Sequence, residues 1–167
     1  KRVLLIDADL RRPTLHNLLH RSRKPGLSEV LQGKATLAES VVETPIPSLC
    51  LLPAGRSSSR PLSLLTADAF DKLIEVARGS YQAIFIDTPP LLAVVDARIL
   101  RRAADVALLV VRAGATPREP VLRSFEQLGE TSGLVLNEIA PGSYRRHYYG
   151  EAYSRYAYGD EASTDEA

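Results

Sequence analysis

The sequence has few of the residues that cross-link a chain or anchor it in a membrane. Among its 167 residues Cys50 is the single cysteine, methionine and tryptophan are absent, and the apolar runs are short. A single cysteine excludes an internal disulfide and a thiolate zinc cluster, and fits a reducing cytoplasm. None of the apolar runs is long enough for a membrane-spanning helix. Because Cys50 lies among leucines, we predict that it is a core residue.

Net charge is also nearly absent. The 21 Lys and Arg residues oppose 20 Asp and Glu residues, a formal net charge of +1, which argues against a nucleic-acid partner. The first 24 residues nevertheless carry seven Lys or Arg against two Asp. This local excess suits either phosphate or an acidic partner. With 45% hydrophobic and 25% charged residues, the composition is that of an ordinary soluble, single-domain globule.

The first apolar run ends in a group of charged residues. Residues 3–6 are apolar and too few for a helix, so they predict a strand buried on both faces, as in a parallel sheet. Asp7, Asp9 and Arg11 follow at once. Asp7 and Asp9 are two residues apart, which places them on one side of an extended backbone. Two like charges held together are costly unless a cation lies near them.

A second run has the same form. Residues 83–86 predict another buried strand, which ends at Asp87 and is stopped by Pro89 and Pro90. Ligands of open α/β sheets bind at the carboxyl ends of the strands. The two strand-end aspartate sites therefore predict a shared magnesium and phosphate site, because Mg²⁺ prefers one or two carboxylates, waters and phosphate oxygens. The alternative for either aspartate alone is a turn or a helix N-cap.

Strand and helix patterns alternate along the rest of the chain. We predict an α/β fold, in which a mostly parallel sheet is covered by helices on both faces. The predicted helices include 37–42, 62–78, 96–104 and one opened by a capping box at Thr116, with Val121, Leu122, Phe125 and Leu128 inward. A further helix follows Pro13. It carries His16 and His20 at a spacing that could hold a metal, but without a third ligand we expect solvated surface histidines.

In this order, the motifs resemble those of a known family. Asp7-Ala8-Asp9-Leu10-Arg11 and Asp87-Thr88-Pro89-Pro90, each after an apolar run, are similar to the second and third nucleotide motifs (Walker A′ and Walker B) of the bacterial tyrosine kinases of exopolysaccharide and capsule synthesis. These are P-loop ATPases related to the Min and Par partitioning proteins. Three further stretches agree in the same order: 25–33, 51–55 and 133–137. The resemblance weakens at 55–61, where the family usually has a proline- and asparagine-rich segment.

The resemblance implies ATP and Mg²⁺ as cofactors and a role for each matching residue. Asp87 would hold magnesium through water, and Asp7 and Asp9 would flank the ion and the incoming hydroxyl, with Asp7 our first choice as base. Arg11 would lie near phosphate or the partner. Asn137 would contact the nucleotide base, although a turn-forming asparagine is the alternative.

The phosphate loop of such enzymes is missing from the sequence. No Gly-x-x-x-x-Gly-Lys-Ser/Thr motif occurs, and Lys1 leads directly into the first strand. We therefore expect a fragment: residues 1–140 as a kinase domain whose first strand and phosphate loop lie upstream, and residues 141–167 as a tyrosine-rich tail. Without the loop, we expect this fragment alone to be inactive.

Six of the seven tyrosines fall within fifteen residues of the tail, without a core-forming period. By resemblance they are autophosphorylation sites. They are Tyr144, Tyr148, Tyr149, Tyr153, Tyr156 and Tyr158. The alternative is a disordered aromatic tail that binds RNA or sugar, because Arg145, Arg146 and His147 lie among them.

The family also implies a cellular setting. We expect a tyrosine autokinase that acts in trans on its own tail and regulates polysaccharide polymerisation and export. Its place would be the cytoplasmic face of the bacterial inner membrane. The expected partners are a membrane chain-length regulator, fused upstream or separate, further copies of the chain and a tyrosine phosphatase, without nucleic acid. Two alternatives are a Min- or Par-like scaffold ATPase without kinase activity and a non-catalytic binding module.

Overall fold

The fold is an α/β arrangement of short helices around parallel strands, seen in a computed structural model that describes residues 2–56, 61–129 and 132–139. The strands are β1 (Val3–Asp7), β2 (Val42–Glu43), β3 (Leu49–Leu52), β4 (Ala83–Asp87), β5 (Ala107–Arg112) and β6 (Ser132–Asn137). The helices are α1 (Leu15–Leu18), α2 (Leu27–Leu31), α3 (Leu37–Ser40), α4 (Pro61–Leu64), α5 (Ala67–Arg78), α6 (Asp96–Arg101) and α7 (Arg118–Leu128). The predicted fold class is confirmed.

The main sheet has the strand order β2-β3-β1-β4. Strand β1 lies in the middle and pairs in parallel with β3 and with β4, whereas the short β2 is antiparallel to β3 at the edge. The apolar run predicted as a buried strand is buried, since Leu4 and Ile6 are fully inaccessible to solvent. Apolar side chains from β1 and β3 form the core together with Phe70, Leu73 and Ile74 of α5. Cys50 is buried in this core, which confirms its prediction.

Strands β5 and β6 form a separate two-stranded parallel sheet. Within the described residues no pairing joins β4 to β5, although the alternating sequence pattern predicted a single sheet. A groove of ≈ 730 Å³ separates β4 from β5 and is lined by both of these strands. Phe85 of β4 is 56% exposed, and Leu108 and Val110 of β5 are 58% and 59% exposed. The sheet is therefore interrupted at an apolar groove.

Several predicted helices are shorter in the structure. The helix predicted for 62–78 is divided into α4 and α5, because Thr66 is extended (φ −69°, ψ 142°) and Leu65 turns into the core. The helix predicted for 37–42 ends at Ser40, since the chain is extended at Val41 and then enters β2. Helix α6 ends at Arg101, before the predicted end at 104.

The prediction for α7 was wrong in two respects. The helix begins at Arg118 without a side-chain cap, and the Thr116 hydroxyl instead accepts a hydrogen bond from the Arg112 N–H at 3.2 Å. Leu122 and Phe125, expected inward, are 49% and 41% exposed. A sheet of only two strands offers too little surface to cover a whole apolar stripe. In the described ranges, no helix is long and apolar enough to cross a bilayer.

Candidate active site

Two carboxylates lie side by side at the carboxyl edge of the main sheet. Asp7 ends β1 and Asp87 ends β4, and the two residues are direct partners in the parallel register. The pairing continues past the strand ends, because the Ala8 N–H donates to the Asp87 carbonyl oxygen at 2.9 Å. Parallel pairing thus brings together two residues that are 80 positions apart in the chain.

Asp7 has an unusual environment for a carboxylate, because it is fully buried. Its Oδ2 accepts a hydrogen bond from the Leu15 N–H at 3.2 Å, whereas its Oδ1 is buried without a hydrogen-bond partner among the described residues. Burial raises the pKa of Asp7, and the nearby charge of Asp87 acts in the same direction. A buried carboxylate oxygen without a partner is one that a cation would stabilise.

Asp87 is exposed, yet neighbouring atoms remove part of its hydration. This desolvation raises the pKa of Asp87, and the charge of Asp9 adds to the effect. The site therefore holds three neighbouring carboxylates. In two of them, Asp7 and Asp87, desolvation and then the charge of a neighbouring aspartate disfavour the ionised form. In the described part of the chain, no three His, Cys, Asp or Glu side chains are arranged to hold a metal ion by themselves. The donor set fits Mg²⁺, which takes one or two carboxylates and completes its shell with water and phosphate oxygens.

Asp9 is engaged in its own loop. Its Oδ1 accepts hydrogen bonds from the backbone N–H groups of Arg11 and Arg12, at 3.0 and 2.9 Å. Such bonds from an aspartate to the following amides are typical of a turn that its side chain holds closed. We refer to residues 9–12 as the Asp9 turn. The expected role of Asp9 beside a metal ion remains a prediction.

Arg11 has a partner that the sequence did not reveal. Its Nε donates to Asp96 Oδ2 at 2.7 Å, and its Nη2 donates to Asp96 Oδ1 at 3.3 Å. Asp96 begins α6 and is 1% exposed. The sequence pattern showed Asp96 only as the first residue of a helix. Nothing local marks it as buried, because its partner is 85 residues away.

A tight crossing of two loops flanks the same edge of the sheet. The Leu27 N–H donates to the Pro53 carbonyl oxygen at 2.7 Å, so the start of α2 packs against the chain that leaves β3. The pKa of Glu29 lies below its ordinary value. Burial acts to raise this pKa, but the hydrogen bonds that the carboxylate accepts lower it by more. The donors are the Gly26 N–H, the Ser28 hydroxyl and the Arg56 N–H.

The remaining predicted residues lie apart from the aspartates. Asn137 ends β6 on the separate sheet, where its carbonyl accepts a hydrogen bond from the Ala113 N–H at 2.8 Å, so its nucleotide contact remains a prediction. His20 is exposed as expected, whereas His16 is half-buried and its Nδ1 has no partner in the described part of the chain. The tyrosine cluster of the tail lies outside the described residues.

Comparison with known proteins gives a consistent set of relatives. The chain is 38% identical to tyrosine-protein kinase wzc of Salmonella typhimurium over 162 residues, which is 95% of this chain and 22% of that protein. It is 36% identical to tyrosine-protein kinase YwqD of Bacillus subtilis over 142 residues, 85% of this chain and 60% of that protein. The chain thus spans less than two thirds of the length of each of these curated relatives. A scan against models of protein families found no match.

Solved structures agree with the sequence relatives. The kinase domain of the Escherichia coli tyrosine kinase ETK superposes with a TM-score of 0.80 at 36% identity, over 86% of this chain and 58% of that one. The VpsO kinase domain gives a TM-score of 0.78 at 35% identity, over 83% of this chain and 71% of that one. MinD of Pyrococcus horikoshii, solved with Mg-ADP, has a TM-score of 0.66 at 22% identity over 87% and 64%, which shows a shared fold alone.

Proposed function

The chain belongs to the family of bacterial tyrosine-protein kinases, and we propose that residues 1–140 form most of the catalytic domain of an ATP-dependent protein-tyrosine kinase. The observation that carries the proposal is the in-register pair Asp7 and Asp87 at the carboxyl edge of the sheet, with a buried Asp7 oxygen that has no partner in the described residues. Phosphoryl transfer depends mostly on positioning and charge neutralisation. A carboxylate pair of this kind supplies both when it holds a cation.

Asp87 would hold magnesium through water, and Asp7 and Asp9 would flank the ion, whose remaining ligands would be water and phosphate oxygens. The ion would neutralise phosphate charge. Asp7 would also accept the proton of the attacking tyrosine hydroxyl. A phenol has a pKa of about 10, so its attack near neutral pH benefits from a base. The hydrogen bond from the Leu15 N–H fixes one carboxylate oxygen and leaves the other for this chemistry.

The phosphate loop would be contributed by residues outside 1–167. The groove between β4 and β5 supports this part of the proposal. Both strands expose apolar side chains to it, and neither pairs with a further strand on that side within the described residues. A parallel strand inserted there would join the two sheets. Its carboxyl end would open at the same edge as Asp7 and Asp87, where a phosphate loop would reach the carboxylates.

The tail would be the acceptor. Its six tyrosines would be phosphorylated in trans by another copy of the chain, which explains why donor site and acceptors share one polypeptide. Residues 144–158 carry three Arg against one Glu. Each phosphate adds about −1.5 to −2 charges, so several of them would make this mildly basic cluster anionic and push apart assembled copies. We place this switch at the inner face of the bacterial membrane. There it would act with a chain-length regulator and a phosphatase in polysaccharide export.

The decisive experiment uses a longer protein that includes the residues preceding Lys1, incubated with ATP and Mg²⁺ and probed for phosphotyrosine. Asp7→Asn and Asp87→Asn should each lower incorporation at least tenfold, because each removes a charge that the cation needs. Asp71→Asn is the matched control. Asp71 is exposed on α5, so its loss should leave incorporation unchanged.

Tyrosine substitutions test the acceptor. Changing the six tail tyrosines to Phe should abolish incorporation, whereas Tyr81→Phe, the single tyrosine outside the tail, should leave it intact. ATP hydrolysis without phosphotyrosine would contradict the kinase proposal and indicate a scaffold ATPase. Full incorporation after loss of the six tail tyrosines would show that the acceptor lies elsewhere.

A further inference from the structure

The ion pair between Arg11 and Asp96 connects the two loops that leave the site strands. Arg11 lies in the Asp9 turn that follows β1, and Asp96 begins the helix that follows β4 and its proline loop. The two loops are far apart in sequence and adjacent in space. A contact between them therefore bears on how the ends of β1 and β4 sit relative to each other.

The geometry of the pair is that of a specific two-point contact. Two guanidinium nitrogens face the two carboxylate oxygens of Asp96, at 2.7 and 3.3 Å, an arrangement that fixes orientation as well as distance. The Asp96 side chain is 2% exposed, whereas that of Arg11 is 40% exposed. Asp96 is thus the buried acceptor of the pair, and Arg11 is its partly exposed donor.

The same arginine is tied to Asp9 through its backbone. The Arg11 N–H donates to Asp9 Oδ1, so the position of the Arg11 backbone helps to set the position of the Asp9 carboxylate. A continuous chain of contacts therefore runs from buried Asp96, through the Arg11 side chain and backbone, to Asp9. The end of this chain lies close enough to Asp87 for the Asp9 charge to act on it.

We propose that Asp96 is a positioning residue that, through Arg11, holds the Asp9 turn in place beside Asp87. This inference rests on the proposed function, since the Asp9 carboxylate matters there for a metal–nucleotide complex. Asp96 itself touches no reacting atom. Loss of stability would not establish this role, because buried ion pairs often contribute little net stability. The test therefore needs readouts that a purely structural role would not move.

The experiment compares Arg11→Gln, Asp96→Asn and the double variant in the longer protein. Millisecond hydrogen exchange follows the amides of the Asp9 turn, and a Mn²⁺ titration in the presence of ADP follows metal affinity. Each single variant should speed exchange of the turn and weaken Mn²⁺ binding by about tenfold, a common effect of removing an outer-shell partner. Asp96→Asn should add nothing once Arg11 is Gln, because both changes break one chain of contacts.

Glu119→Gln and Arg123→Gln form the matched control pair. They also make an ion pair, but between two exposed side chains of α7. They should change neither readout. Unchanged exchange of the Asp9 turn in Asp96→Asn, or additive effects in the double variant, would overturn the inference. The double variant, which removes both charges, keeps the test valid if one single variant unfolds.

The two proposals fail in different ways. A wild-type protein that binds Mn²⁺ and ADP but never phosphorylates tyrosine would contradict the kinase proposal and leave both readouts of the Asp96 inference in force. A wild-type protein that binds neither would contradict the proposed function as well. Hydrogen exchange of the Asp9 turn would then decide the positioning role of Asp96.

Discussion

Asp7 illustrates how a buried carboxylate can oppose stability. It is fully buried, and one of its oxygens lacks a hydrogen-bond partner in the described part of the chain. An acid whose pKa is raised by folding binds its proton more tightly in the folded state. Its contribution to stability is therefore favourable at low pH, and is lost as the pH rises through the folded pKa. At neutral pH the charged Asp7 destabilises the fold unless a cation is present.

The Asp7→Asn variant should consequently be more stable than wild type at pH 7 without magnesium, by about 1 kcal/mol. The gain should shrink as the pH falls through the raised pKa of Asp7, and should disappear below the ordinary aspartate pKa, where the carboxyl is neutral in both states. Urea unfolding of residues 1–167 across this range measures the effect. Asp71→Asn, an exposed position in α5, is the control and should show no such trend. A variant less stable than wild type at pH 7 would contradict the account of Asp7.

Glu29 shows the opposite sign. Its pKa is lowered, so its charged form contributes stability above the unfolded pKa, and this contribution is lost as the pH falls through the folded pKa. Glu29→Gln should lose about 1 kcal/mol of unfolding free energy at pH 7 and less near pH 3, because the loss shrinks as the pH falls through the lowered pKa of Glu29. Urea unfolding at both pH values checks this. Glu126→Gln, exposed on α7, is the control. An equal loss at both pH values would show that packing rather than charge is responsible.

Among the helices and strands, the junction of α2 with the end of β3 is the tightest contact near the site. A Cβ atom on Gly26 would lie 2.3 Å from the Pro53 carbonyl oxygen and 2.4 Å from the Gly55 nitrogen. Both neighbours are backbone atoms that cannot rotate away. The glycine is therefore required for α2 to begin against the loop that leaves β3.

Gly26→Ala should destabilise the protein by about 2–3 kcal/mol, because the two loops must separate to admit a methyl group. Gly79→Ala is the matched control at the end of α5. It has an ordinary φ of −68°, and its new Cβ would come no closer than 3.4 Å to the Val76 carbonyl oxygen. That variant should be neutral or slightly stabilising. Thermal unfolding of both variants decides, and a mild effect at Gly26 would mean that the loops yield easily.

At the scale of the whole molecule, the groove between β4 and β5 leads to a prediction about the strand that we propose to fill it. In a longer protein that supplies a strand to the groove, amide exchange in β4 and β5 should slow at least tenfold relative to residues 1–167, because unpaired edges become paired. Strand β1 is the internal control, since β3 and β4 already flank it. Equal exchange of β4 and β5 in both proteins would contradict a strand in the groove.

Much of the main sheet was predictable because its signals are local. The apolar runs before Asp7 and Asp87 are continuous, so they predict strands buried on both faces, and both carboxylates lie at the strand ends as expected. Burial was predicted correctly for β1 and wrongly for β4, because Phe85 of β4 is exposed to the groove beside β5. The exact ends of helices were less predictable. The break at Thr66 and the early end of α3 depend on where the chain must turn to pack, which the helical period does not record.

The site was predictable only in part, for a physical reason. The sequence indicated which carboxylates end a strand. Because parallel strands share a carboxyl edge, it also indicated that Asp7 and Asp87 lie at the same edge of the sheet. The burial of Asp96 could not be predicted, because local sequence does not distinguish a buried aspartate at the start of a helix from an exposed one. The resemblance places Arg11 near phosphate or the partner, which stays a prediction, and the sequence did not indicate that its guanidinium pairs with Asp96.

Local sequence was therefore sufficient for the α/β class, the strands and the aspartates that follow them, because runs of apolar residues and the charges that end them are short-range features. Tertiary structure decided the rest. Register brought Asp7 opposite Asp87, burial left an Asp7 oxygen without a partner in the described residues, and packing joined Arg11 to Asp96. Pairing, desolvation and ion-pair geometry depend on residues distant in the chain, so only the folded arrangement could specify them.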